Sequence, residues 1–191
     1  IARRIREQNV YSEILPHTIT AGELKLKNVP AIILSGGPSS VYDKNAPQID
    51  TSILNMEIPI LGICYGLQLL IAKNGGNVAH KGQGEYGFAE IHKVDESPLF
   101  KNIENETQVW MSHGDEIDSL GNGFKIIAKS SNDVVAAIHH KDHPLYGVQF
   151  HPEVIHTLKG ETIISNFLFN IAKCTADWTP ANFISETITK I

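Results

Sequence analysis

Two rhythms of apolar and polar positions divide the chain. Through about the first 76 residues, short apolar runs alternate with stretches whose apolar residues recur every three or four positions, the signatures of buried strands and amphipathic helices. "IARRIREQ" puts Ile1 and Ile5 on one helical face and Arg3, Arg4 and Arg6 on the solvated one. "NVYSEI" (9–14) predicts a strand, "TAGELKLKN" a helix opened by a Thr20/Glu23 capping box, "PAIILS" (30–35) a strand and "APQIDTSILNM" (46–56) a helix. "IPILGI" (58–63) predicts the next strand, and "YGLQLLIAKNGG" a helix stopped by Gly75 and Gly76, since glycine enters a left-handed cap at little cost. Such alternation predicts a parallel sheet wrapped by helices.

The pattern then changes. "EYGFAEIHKV", "TQVWMS", "FKIIAKS", "DVVAAIHH" and "PLYGVQFH" are strand-like and closely spaced, which predicts antiparallel strands extending or flanking the sheet. A helix over about 161–173 closes the domain, so residues 1–174 read as one unit. "TADWTPANFISETITKI" breaks at Trp178-Thr179-Pro180 and resumes a helical pattern, and 175–191 read as a connector toward a further domain. An α/β fold normally opens on a strand, whereas this chain opens inside a helix, so an upstream strand is expected.

Composition narrows the function classes. The 191 residues are 42% hydrophobic and 19% charged, with a formal net charge of −5, which suits one real core and offers no basic field for nucleic acid or an anionic membrane. The chain has no 18-residue apolar run, and no charged-then-apolar leader precedes the first helix, so a cytoplasmic protein is expected. Cys64 and Cys174 read as free thiols in a reducing compartment.

Cys64 carries the first chemical signal. Gly62-Ile63-Cys64-Tyr65-Gly66 between a strand and a helix has the form of a nucleophile elbow with cysteine in place of serine. The tight turn requires small residues two before and two after the nucleophile. The helix start favours a thiolate by about 0.3 to 1 kcal/mol. A small buried cysteine filling the joint is the alternative.

A base for that thiol is offered by "YGVQFHPEV", where His151 ends an apolar strand and Glu153 follows close enough to orient its ring. A His-Pro pair that merely ends a strand, with Glu153 on the surface, stays open, and His113 is a lesser competitor. Ser35-Gly36-Gly37-Pro38 forms a sharp loop of exposed N–H groups suited to an oxyanion site or to phosphate. His139, His140, Asp142 and His143 have metal-ligand side chains but lie in a turn with Lys141 and no second cluster, and no metal is expected. Trp110 and Trp178 read as core and linker anchors. Whether Glu85-Tyr86-Gly87 lines a site is not decided by its residue types.

Taken in order, "LSGGP", "GICYGLQ" and "FHPEV" resemble the class I (triad) glutamine amidotransferase family over almost the whole chain. "WMSHGDEI" and "CTADWTPANFI" are similar to the branch in which this domain precedes an ATP-pyrophosphatase (synthetase) domain. The resemblance implies an α/β, flavodoxin-like domain, its mostly parallel sheet covered by helices on both faces. It implies hydrolysis of L-glutamine through a cysteine thioester, with the ammonia aminating xanthosine monophosphate to guanosine monophosphate in purine synthesis. Cys64 would be the nucleophile, His151 the general acid/base and Glu153 its orienter. The N–H groups of Gly37 and Tyr65 would form the oxyanion hole, while Gln68 and the Ser112, Gly114 and Asp115 of an "SHGD" loop would hold the amino-acid end of glutamine. No cofactor is implied for this domain. ATP and Mg2+ would belong to the synthetase domain of the same full-length chain, which the resemblance allows to be a homodimer. Two other outcomes stay open: delivery of ammonia to another acceptor, as in anthranilate or carbamoyl-phosphate synthesis, and a glutamine-binding module without turnover. The "WMSHGDEI" segment and the tail argue against the first, and the presence of Cys64 and His151 against the second.

Overall fold

Four consecutive fully buried residues, Ile60–Ile63, form a strand that sits between two parallel neighbours, β1 (Ile32–Leu34) before it in the chain and β7 (Leu145–Val148) far after it. The Ile60–Ile63 strand is β2. A strand flanked on both sides and covered on both faces has no position left for a polar side chain. The structure, a computed structural model, describes residues 1–180, of residues 82 and 83 only the backbone. Residues 181–191, with the renewed helical pattern after Pro180, lie outside the described residues.

Four further strands complete the sheet: β3 (Asn77–Lys93), β4 (Glu106–Ser119), β5 (Phe124–Ser130) and β6 (Val135–His140). Among the described residues the order is β1-β2-β7-β6-β5-β3-β4. The β1-β2-β7 part is parallel, and every pairing from β7 through β4 is antiparallel. This is the α/β sheet with added antiparallel strands that the two rhythms predict.

Alternation within β2 and β7 builds two cores. Leu61, Ile63, Tyr146 and Val148 point to one face, where α1 (Ala2–Arg6) contributes Ile5 and α4 (Gly160–Ser165) contributes Ile163 and Ile164. Ile60 and Leu145 point to the other, toward α2 (Ala21–Lys27) and α3 (Tyr65–Lys73). On that second face Gly147 leaves the room that Leu67 of α3 fills. The capping box opens α2 as the sequence predicts: Thr20 Oγ1 accepts from the Glu23 N–H at 3.2 Å, and Glu23 Oε2 accepts from the Thr20 N–H at 2.8 Å. Gly75, at φ +81°, lets the Gly76 N–H reach back to the Ile71 carbonyl at 3.0 Å and so ends α3.

Four expectations need correction. Residues 9–14 form no strand: Val10 is buried and its N–H bonds to the Ile5 carbonyl, and among the described residues the segment is not part of the sheet. The helix over 46–56 shrinks to a 3₁₀ turn, Thr51–Asn55, because the Asp50 carboxylate accepts from the Ser52 N–H and starts the turn there. The last helix changes pitch at Asn166, whose amide reaches the Leu99 and Lys101 carbonyls at 2.9 and 2.7 Å, and Asn166–Ile171 continue as a π-helical turn. The "SHGD" segment is no loop but part of β4.

Candidate active site

The end of β2 runs straight into α3, and the residue at the junction, Cys64, has φ +52° and ψ −106°. A non-glycine side chain at positive φ is strained, and here the strain comes with two glycines that nothing larger can replace. A Cβ on Gly62 would stand 2.6 Å from the Gly66 carbonyl group and the Leu67 nitrogen, and a Cβ on Gly66 would run into the Leu34 carbonyl. Strand and helix therefore touch backbone to backbone, and the sharpness of the turn forces the thiol outward at the C-terminal edge of the parallel strands. Open α/β sheets bind ligands at that edge.

β7 is the parallel neighbour of β2, so its C-terminal exit delivers His151 to the same edge. The imidazole lies beside Cys64 on one side, and Nδ1 lies 3.0 Å from Glu153 Oε1 on the other. A carboxylate only accepts, so Nδ1 carries a proton and Nε2 is left for the sulfur. The bond to Cys64, and after it the bond to Glu153, push the His151 pKa up to about 10, while burial works against them. Burial, the largest single influence, works against the charge of Glu153, yet the His151 bond, the backbone N–H of Glu153 and the nearby positive charge of His151 together hold its carboxyl below the usual range. The turn that carries both is braced from three sides. The His151 N–H bonds to the Trp110 carbonyl at 3.0 Å, Thr157 Oγ1 donates to the His151 carbonyl at 2.7 Å, and Arg4 Nε donates to the Glu153 carbonyl at 2.9 Å.

The loop after β1 closes over this pair. A Cβ on Gly36 would stand 3.1 Å from His151 Cε1 and 3.6 Å from Cys64 Cβ, and one on Gly37 would stand 3.7 Å from the Tyr65 ring. Tyr65 opens α3, so its N–H belongs to the first turn, where helical N–H groups have no partner within the helix.

β4 supplies the opposite wall. The Ser112 carbonyl accepts from Cys64 Sγ at 3.6 Å, and the Ser112 side chain is exposed. Gly114 faces a bulge in β3, whose register shifts between His80 and Glu85. Gly84 makes that bulge with φ +68°, pressed against the His113 carbonyl. The Asp115 carbonyl accepts from both Gln68 Nε2 and His113 Nδ1 at 2.9 Å, and its carboxylate, about one-fifth exposed, lies 3.3 Å from His80 Nδ1. Gln68 itself is buried, with its amide nitrogen turned to Asp115 and, at 3.3 Å, to Gln149 Oε1.

Cys64, Tyr65, Gly37, His151 and Glu153 thus meet where β2 and β7 end, and β4 brings the Ser112 carbonyl to Cys64 and the Asp115 carbonyl to Gln68, while Gly114 faces Tyr86 and His80. His113 does not compete for the thiol: its ring is buried between the Asp115 carbonyl and Glu85, and Glu85 is also bound by Ser130 and Asn132 at 2.7 and 2.9 Å. Glu85 supports β4 from below. The motif reading missed Arg4, Thr157 and Gln149, the last of which donates to Cys64 Sγ at 3.7 Å. No local signal marks Arg4 or Thr157, whereas Gln149 stands two residues before His151 as a lone polar side chain in an apolar strand. His139 stacks on Tyr146, and His140 packs edge-on against Phe124.

A family model for glutamine amidotransferase class-I matches residues 1–171. All 191 residues align with GMP synthase [glutamine-hydrolyzing] of Thermosynechococcus vestitus at 49% identity and with that of Brachyspira hyodysenteriae at 49%, the chain spanning 36% and 37% of those relatives. Among solved structures, a Thermoplasma acidophilum protein assigned to GMP synthase superposes with a TM-score of 0.77 at 31% identity, over 100% of this chain and 90% of that one. A Thermotoga maritima glutamine amidotransferase has the same fold, with a TM-score of 0.69 at 20% identity over 88% and 90% of the two chains.

Proposed function

Since the chain belongs to the class I glutamine amidotransferases, we propose that residues 1–174 are a glutaminase domain and that Cys64, His151 and Glu153 are its catalytic triad. The observation that carries the proposal is the strained junction that sets Cys64 against a His151 already paired with Glu153.

Glutamine's side-chain amide is a poor electrophile, and the site answers each of its difficulties. Cys64 passes its thiol proton to His151 Nε2 as the sulfur attacks the amide carbon, and the developing oxyanion is met by the N–H groups of Gly37 and Tyr65. His151 gives its proton to the departing nitrogen, which leaves as ammonia, and a glutamyl thioester remains on Cys64. Water then attacks with His151 as base, releasing glutamate and the thiol. Glu153 keeps the ring facing the sulfur through both steps. Ser112, Gly114, Asp115 and the free oxygen of Gln68 would hold the amino-acid end of the substrate.

The relatives are about three times as long as this chain. We infer that 175–191 lead to a synthetase domain that binds ATP and Mg2+ and uses the ammonia to aminate xanthosine monophosphate. Among the described residues no group of His, Cys, Asp and Glu could hold a metal ion, and no helix is long and apolar enough to cross a membrane. The test is ammonia release from L-glutamine by the parent, Cys64→Ala and His151→Ala, with and without ATP and xanthosine monophosphate. Glutaminase activity that survives Cys64→Ala refutes the reading.

A further inference from the structure

Gln149 follows β7 and is completely buried, its backbone N–H held by the Ala136 carbonyl at 2.8 Å. A primary amide in such a place needs partners for both ends, and the partners here are unusual. Gln68 Nε2 has two protons, one directed to the Asp115 carbonyl at 2.9 Å and the other to Gln149 Oε1 at 3.3 Å. Asp115 offers a carbonyl, which only accepts, so Gln68 must present its nitrogen there. Gln149 in turn must present its oxygen to Gln68 and its nitrogen away from it. That nitrogen meets Cys64 Sγ at 3.7 Å.

The sulfur therefore has two neutral neighbours of opposite preference. The Ser112 carbonyl at 3.6 Å accepts a proton and suits the thiol, while the Gln149 amide donates one and suits the thiolate. Of the titratable groups, His151 with Glu153 behind it faces the sulfur from the β7 exit. β4 brings the Ser112 carbonyl, and the Gly36 loop and the start of α3 bring backbone.

Resting on the reading of Cys64 as the nucleophile, we propose that Gln149 is a fourth functional side chain of the site: a non-titrating donor that stabilises the Cys64 thiolate, locked in the donating orientation by Gln68. Its role is distinct from that of His151. The imidazolium must surrender its proton to the leaving ammonia, whereas the amide of Gln149 keeps its hydrogens throughout. It is still donating when the sulfur departs as thiolate from the thioester.

The experiment uses the intact protein that carries this sequence. Gln149→Met keeps length and apolar contacts without a donor, and Gln149→Glu keeps the acceptor for Gln68 while setting a carboxylate beside the sulfur. Folding is checked by circular dichroism and the melting midpoint. A hydrogen bond to a charged partner contributes roughly one pH unit or more. The rate of Cys64 alkylation by iodoacetamide should therefore rise with pH about one unit later in Gln149→Met and later still in Gln149→Glu. The kcat of glutamine hydrolysis should fall about tenfold with KM changed less. On the unmodified protein with 15N-labelled glutamine, one buried side-chain amide should shift as Cys64 ionises and lose that response in Cys64→Ala. Alkylation profiles and kcat that match the parent in Gln149→Met, or no amide that responds to Cys64, overturn the proposal. An active Cys64→Ala instead overturns the glutaminase reading itself, so the two failures are distinguishable.

Discussion

Gly36 and Gly37 are neighbours with unequal steric demands, and the difference gives a sharp test of the active-site geometry. Neither has positive φ, so alanine fits the backbone at both. At Gly37 the added Cβ lies 3.7 Å from Tyr65, an ordinary contact. At Gly36 it lies 3.1 Å from His151 Cε1, about 0.4 Å inside the roughly 3.5 Å at which carbon contacts become favourable. The imidazole cannot yield without cost, because its backbone is tied to the Trp110 carbonyl and its Nδ1 to Glu153, both at 3.0 Å. A ring displaced by a few tenths of an ångström must lengthen its bond to Cys64 or to Glu153. Since about 1 Å of misplacement can cost on the order of 100-fold, Gly36→Ala should lower the kcat of glutamine hydrolysis about tenfold. That is ~1.4 kcal/mol of transition-state stabilisation. Gly37→Ala should stay within about twofold of the parent. Steady-state ammonia release, together with melting curves to show that both variants fold, decides the matter. Equal kcat for the two variants, or a larger loss at Gly37, would refute the placement of His151 against the loop.

The remaining expectations concern the triad and its supports. His151→Ala should abolish measurable turnover, a loss of about 1,000-fold, while Glu153→Gln, whose amide oxygen still accepts from Nδ1, should lose about tenfold; coupled ammonia assays give both. Because the His151 pKa is raised from 6.5 to about 10, its contribution to stability is complete below pH 6.5 and is lost as pH climbs through about 10. The difference in unfolding free energy between the parent and His151→Gln, measured in urea, should therefore close across that window. Glu85→Ala strips His113, Ser130 and Asn132 of a shared buried acceptor, so it should destabilise by about 3 kcal/mol and raise KM as the β4 wall loosens. A glutamine-like electrophile should label Cys64 and leave Cys174 unlabelled, since Cys174 is half-buried with its thiol pushed up by burial; peptide mapping reads this directly.

Much of the architecture is local and was therefore legible in the chain. The Thr20/Glu23 box, the Gly75 stop and the Gly-x-Cys-x-Gly turn depend on residues within one or two turns of one another, and the period of apolar positions marks strands and helices whatever lies beside them. Where a segment's state depends on a distant neighbour, local pattern misleads. Residues 9–14 have strand composition but lie outside the sheet among the described residues, and Asn166 bends the last helix because carbonyls at Leu99 and Lys101 accept its amide. The "SHGD" residues are a loop in the family resemblance, yet β3 pairs with them and absorbs the irregularity in its own bulge.

The sequence by itself determined that Cys64 sits at a strand-to-helix elbow and that His151 and Glu153 share one turn, because each is a relation between residues close in the chain. Only the tertiary structure decided that the two turns meet. Parallel pairing of β2 with β7 brings their ends together across about eighty intervening residues that hold α3 and the four antiparallel strands β3 to β6. Packing of α1 on the core sets Arg4 against Glu153, and the pairing of β1 with β2 sets Gly36 against His151. Gln149 shows the division most clearly: its type and position are plain in "GVQFHPEV", but which end of its amide faces the sulfur is settled by Gln68 and by a carbonyl on β4. Hydrogen-bond direction is a property of a closed network, and a network closes only when strands far apart in the chain are laid side by side.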